Sequence, residues 1–214
     1  RLPRPNRINA LYETMANNAA AYGPNGFVVG ANRKLTSPDS GKYYGWLQTT
    51  KYGDLLQTLY TARTLMLNTG DARGFDHLTG KTADMVKQQK SLPPVKFNNH
   101  LLAEMIALKV NITASSMNIT PNGFGELRYK GPADPGGQYD GLMVKEIAAY
   151  GDQLMMGQYD AAAGKKVYAS PEVFAGLDTV IRQINEAFEG PLDTSDFSGN
   201  LRFTGARALA EVSS

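Results

Sequence analysis

FNNHLLAEMIALKVNITAS, residues 97–115, is the longest apolar run in the chain, and its reading decides the fold. Leu101, Leu102, Met105, Ile106, Leu108, Val110 and Ile112 cover more than half of a helical wheel, with His100, Glu104 and Asn111 on the remaining side. A surface helix carries a narrower stripe, so the pattern predicts a helix in the middle of a helical core. Asn98 or Asn99 can cap it, because a short side-chain carbonyl accepts a free N–H of the first turn. Thr113, Ala114, Ser115 and Ser116 dilute the pattern, and Thr120-Pro121-Asn122-Gly123 stops it.

Working outward, the other strong elements are amphipathic helices that need something to pack on. Toward the N-terminus, Leu92-Pro93-Pro94 is a rigid extended lead-in, 81–89 is polar, and 71–80 is a loop. The spacing of Leu55, Leu56, Leu59, Ala62 and Met66 predicts a helix over 51–68, with Gly70 placed for a left-handed C-cap. Asn6 starts a further helix carrying Ile8, Leu11, Tyr12, Met15, Ala19 and Tyr22. Toward the C-terminus, Gly- and Pro-rich 121–141 is irregular. Asp140 then caps a helix over 141–156 whose face is Val144, Ile147, Ala148, Gly151, Leu154 and Met155. The small residues at 148 and 151 permit close approach of a neighbour. Ser170-Pro171-Glu172 is the clearest helix start, with a cap, a proline where its missing N–H costs nothing, and an acid at the positive helix end. Phe174, Leu177, Val180, Ile181, Ile184 and Phe188 form its stripe, and Gly190-Pro191 ends it. Phe27-Val28-Val29 and Leu201-Arg202-Phe203-Thr204 read as short strands.

The expected fold is therefore mainly α: about five helices around 97–115, with a few short strands and no internal repeat. One domain spans 1–214. Its helical core lies at about 50–190, and 1–49 and 191–214 are candidate assembly segments. In the tail, Leu201 and Phe203 are the residues placed to add to a neighbour's sheet edge.

Composition narrows the function classes. The 214 residues are 42% apolar and 20% charged with a formal net charge of +2, enough for a real core. Lys and Arg cluster only at Arg1, Arg4 and Arg7, which argues against nucleic acid as a partner. No run approaches the roughly 18 apolar residues of a membrane span. Cysteine is absent, which excludes disulfides, iron–sulfur clusters and thiol catalysis. The start at Arg1 fits a processed product whose leader has been removed. With abundant Gly, Tyr, Asn and Thr, the chain reads as secreted, extracellular or cell-surface.

Chemistry-bearing patterns are sparse. His77 and His100 are the only histidines, and neither has a second His or Cys at i+3 or i+4, as a zinc site of N and S ligands would want. Asp134 with Asp140, and Asp193 with Asp196, are the calcium candidates, but without EF-hand spacing they read first as turn formers. No cofactor motif occurs: Gly123-Phe124-Gly125 lacks the third glycine of a dinucleotide loop, and no nucleophile elbow is present. A glycosidase-like carboxylate pair could be drawn from Glu104, Glu126 and Asp134. Tyr43, Tyr44 and Trp46 form the densest aromatic cluster. It reads first as a core anchor, and second as a stacking platform for a glycan. Asn111-Ile112-Thr113 and Asn118-Ile119-Thr120 match the N-glycosylation acceptor, with Asn118 the better placed.

Arg4-Pro5-Asn6-Arg7-Ile8-Asn9, the run LLAEMIALKVNITAS from Leu101, Thr120-Pro121-Asn122-Gly123-Phe124-Gly125-Glu126-Leu127 and Gly141-Leu142-Met143-Val144-Lys145-Glu146-Ile147 together resemble a helical module of large secreted, cell-surface proteins of the Bacteroidota and relatives. The resemblance covers roughly 50–190 and carries no catalytic motif. It implies export and structural or adhesive work. The expected function is thus a non-enzymatic extracellular module, for instance a subunit of a filament or surface assembly, which associates with itself or with neighbouring surface proteins. A glycan- or matrix-binding adhesion module and a carboxylate-based hydrolase are the alternatives.

Overall fold

A computed structural model describes residues 26–31, 43–61, 66–131, 137–187 and 209–210. Among them stand four α-helices, α1 (Tyr52–Leu59), α2 (His100–Ser116), α3 (Val144–Met156) and α4 (Pro171–Glu186), together with nine short strands in four small sheets. This is a mixed α/β fold and corrects the mainly α expectation. The helix expected after Asn6 lies outside the described residues.

The central helix is where the sequence places it. Leu101, Leu102, Met105, Ile106, Leu108, Val110 and Ala114 are buried along α2, and only Asn111 and Ser116 are exposed. Asn99 is the cap, its side-chain oxygen accepting from Leu102 N–H. Asn98 does other work: its carbonyl oxygen accepts from both Thr69 and Gly70 N–H. The helix stops before Thr120. Asn118 takes a left-handed φ of 57°, its N–H reaches Ser115 O, and Ile119 N–H reaches Ala114 O. This paired closure satisfies carbonyls that the helix end leaves free. Ser115 then ties the following chain down, donating to Pro121 O and accepting from Phe124 N–H.

α3 and α4 flank α2. Gly151 lets α3 approach α2 closely: a Cβ there would lie 2.6 Å from Met105 Sδ. The helix begins at Val144, later than expected, because Gly141 adopts φ 78° and Asp140 spends its carboxylate on Gly131 N–H. Glu146 caps the start instead, accepting from Met143 N–H at 2.7 Å. α4 follows the predicted stripe, burying Phe174, Leu177, Val180, Ile181 and Ile184.

The helix expected over 51–68 is cut to α1. At Tyr60 the backbone turns extended, and β3 (Tyr60–Thr61) pairs antiparallel with β4 (Met66–Leu67). Tyr60 and Thr61 favour extended backbone and outweigh the apolar spacing. A buried polar chain fixes this turn. Thr58 Oγ donates to Asp54 O and accepts from Leu92 N–H, Asn68 Nδ2 donates to Thr58 O, and Asn68 Oδ1 accepts from Asn99 N–H. Gly70 is consequently no C-cap; it is small because a Cβ would meet Asn98 O at 2.7 Å.

β1 (Phe27–Val29) and β2 (Gly45–Thr49) pair antiparallel, and β2 pairs parallel with β5 (Lys87–Gln89). β7 (Gln158–Asp160) and β8 (Lys165–Val167) form a hairpin whose turn is held by Asp160 accepting from Ala162 and Ala163 N–H. β6 (Arg128–Tyr129) pairs antiparallel with β9 (Leu209–Ala210), so these two residues pair with a strand of the same chain.

Candidate functional site

The aromatic cluster of β2 and its preceding turn is split by the fold. Trp46 is fully buried, and its indole N–H donates to Gln48 Oε1 at 2.9 Å. Tyr44 is half-buried, and its hydroxyl accepts from Tyr159 N–H. Tyr43 is 37% exposed and stacks on Tyr159 with ring centroids 3.9 Å apart. The partly exposed pair formed by this cluster is therefore Tyr43 with Tyr159, a residue of β7 that sequence reading missed. QYDAAAGKKVY, residues 158–168, does carry the hairpin signal: two short β-favouring runs around an Asp and a Gly.

Lys166 lies opposite Tyr159 across the hairpin and is only 7% exposed. Its ammonium donates to Phe75 O at 2.8 Å and Met85 O at 2.9 Å, and lies 5.1 Å from the Tyr168 ring centroid. Tyr168 O–H donates to the same Phe75 carbonyl. Burial lowers the Lys166 ammonium below the ordinary lysine range, with Asp84 and Asp76 pulling it partly back. Burial pushes the Tyr168 phenol up. Gly74 and Gly157 leave room for that ring, since a Cβ on either would lie within 2.7 Å of it. The result is a bolt: one cation and one phenol hold the irregular 71–86 segment against the hairpin. Arg73 reinforces it, paired with Asp76 and lying 4.3 Å over the Phe97 ring.

A second polar cluster joins α2 to α4. His100 Nδ1 lies 2.8 and 2.9 Å from the two oxygens of Asp178, and Nε2 faces Glu104 Oε1 at 3.5 Å. Asn185 Nδ2 donates to both the carboxylate and the carbonyl of Glu104. Burial lifts the Glu104 carboxyl above its ordinary range; the Asn185 amide and His100 oppose this, while Asp178 and Glu186 add to it. Glu104 was one of three carboxylates open to acid–base work on sequence grounds. The fold couples it to His100 and Asp178, and sends Glu126 to Lys145 at 2.6 Å. Sequence reading missed Asp178. Its only signal is position, one residue along from Leu177 at the edge of the α4 stripe.

A third polar link, Asp152, accepts from Gly30 N–H at 2.8 Å and pairs with Lys109, tying β1 to α3 and α2. Burial lifts this carboxyl, against the pull of Lys109 and the Gly30 N–H.

Of the calcium candidates, Asp140 is turned to Gly131 N–H, while Asp134, Asp193 and Asp196 lie outside the described residues, as do Leu201 and Phe203. Among the described residues no group of three or more His, Cys, Asp or Glu side chains could hold a metal ion. No described helix is long and apolar enough to cross a membrane. Asn118 is exposed in its turn. Asn111 is exposed as well, on α2, although Thr113 of its triplet is bonded to Lys109 O. No protein-family model matches the chain, and no curated protein or solved structure matches it.

Proposed function

We propose that the chain is a non-enzymatic structural module of the extracellular space or cell surface, working in contact with copies of itself or with neighbouring surface proteins. One observation carries this reading. The buried charged groups link elements distant in sequence: Lys166 to the carbonyls of Phe75 and Met85, and Asp152 to Gly30 and Lys109. Such bonds leave these groups engaged in holding the chain, and each would be costly to leave unpaired. The cysteine-free, polar composition and the resemblance to secreted surface modules support the same setting. The test is location and accessibility in the cells that make the protein. Extracellular or protease-shaved surface material fits the proposal. Recovery only from the cytoplasm removes it.

The exposed Tyr43–Tyr159 stack favours a second reading, an adhesion module that lays a sugar ring on an aromatic face. A glycan array reads this directly: signal lost in Tyr43→Ala and Tyr159→Ala, but kept in Leu67→Ala, supports it. Equal signal in all three refutes it.

A further inference from the structure

The α2–α4 seam carries more charge than a passive contact needs. Two carboxylates, Asp178 and Glu104, face the two ring nitrogens of one imidazole, with side chains 17%, 19% and 34% exposed respectively. A neutral imidazole has one N–H, and Nδ1 must keep it to serve Asp178. Nε2 then turns a lone pair toward the Glu104 carboxylate, and the seam holds two like charges around an uncharged ring. With a second proton the ring donates to both carboxylates, and each charge gains a partner. We infer that His100, Asp178 and Glu104 form a proton-operated clasp, in which uptake of one proton draws α2 and α4 together and its loss loosens that seam.

The surroundings set the sign. On α4, Glu186 adds negative charge and is itself 3.9 Å from Arg182, while Asn185 contributes an uncharged donor to Glu104. From the 68–70 segment the contact is backbone, with His100 N–H donating to Gly70 O; neighbouring Asp71 is exposed. The positive end of α2 opposes a charged His100, while the two facing carboxylates of Asp178 and Glu104 favour it. Burial lifts the Glu104 carboxyl. The folded chain therefore holds that proton more tightly than the unfolded one, so the stability it contributes is present at lower pH and lost as pH rises.

The sequence makes the test clean, because histidine is the one side chain that ordinarily titrates between about pH 5 and 8 and the chain has only two. His77, 50% exposed and 3.4 Å from Asp76, is the internal control. The full chain is melted at about pH 5.5 and about pH 8 as wild type, His100→Gln and His77→Gln. The clasp predicts that the gap in Tm between wild type and His100→Gln is wider at the lower pH by about 4 °C, and that His77→Gln shows no such change. A gap independent of pH, or one that His77→Gln reproduces, overturns the proposal. A second measurement needs no variant. Amide exchange in α4, corrected for intrinsic pH dependence, should lose protection by about tenfold for each unit of differential proton affinity, across the range in which the His100 C2–H proton resonance moves. Constant protection across that titration also overturns it.

Discussion

Two glycines inside helices make opposed predictions. At Gly151 of α3, an added Cβ would sit 2.6 Å from Met105 Sδ, 2.9 Å from its Cε and 3.5 Å from a Leu177 methyl. Met105 is fully buried in the middle of α2, so its flexible thioether can move aside only by displacing packed neighbours. Overpacking of this kind costs about 1–3 kcal/mol, and alanine's better helix propensity returns about 1. The expected net for Gly151→Ala is a loss of about 1 kcal/mol, or about 3 °C in Tm. Gly176 lies on the exposed side of α4 with nothing within 4 Å of the same virtual atom. There only the propensity gain operates, and Gly176→Ala should stabilise by about 1 kcal/mol. Urea denaturation of both variants, with Gly151→Ala/Met105→Ala as a relief of the clash, reads the difference. If Gly151→Ala and Gly176→Ala shift the midpoint in the same direction, the close approach of α2 and α3 is wrong.

Ile106, 1% exposed on α2, should not tolerate charge: Ile106→Asp places an unpaired carboxylate where several kcal/mol is lost from a total of about 5–15, and no cooperative melt should be recovered. Lys166→Met removes both charge-assisted bonds to Phe75 and Met85; with part of the loss offset by relief of ammonium burial, a net of about 2 kcal/mol is expected, seen as a lower Tm and faster tryptic cleavage after Arg73 and Lys81. Glu104→Gln removes a carboxyl whose folded form holds its proton above the ordinary range, so its stability relative to wild type should improve as pH rises above about 4.5, and a relative loss over that range would contradict the burial argument.

What could be read in advance follows from how local each determinant is. The apolar coverage of 97–115, the Asn99 cap and the Ser170-Pro171 start are contained within a turn or two, and α2 and α4 carry them as expected. The strand expected at Phe27-Val28-Val29 is β1, but the other described strands run two to five residues, too short for alternation to register, and β2 with β5 depends on a parallel partner some 40 residues away. The 51–68 helix fails for the opposite reason: its spacing was helical, but the buried bonds of Thr58 and Asn68 to Leu92 and Asn99 favour a turn. Tyr159, Asp178 and Lys166 acquire meaning only from neighbours brought in by folding. Burial of Trp46 was legible as the commoner fate of an aromatic; the surface stack of Tyr43 was not.

The central functional claim is a module that works in an assembly outside the cell. Electron microscopy of the native material, purified without denaturant, tests it most directly. Repeating filaments or surface arrays containing this chain are the predicted result. A strictly monodisperse monomer, even at high concentration and with its natural neighbours present, would contradict it.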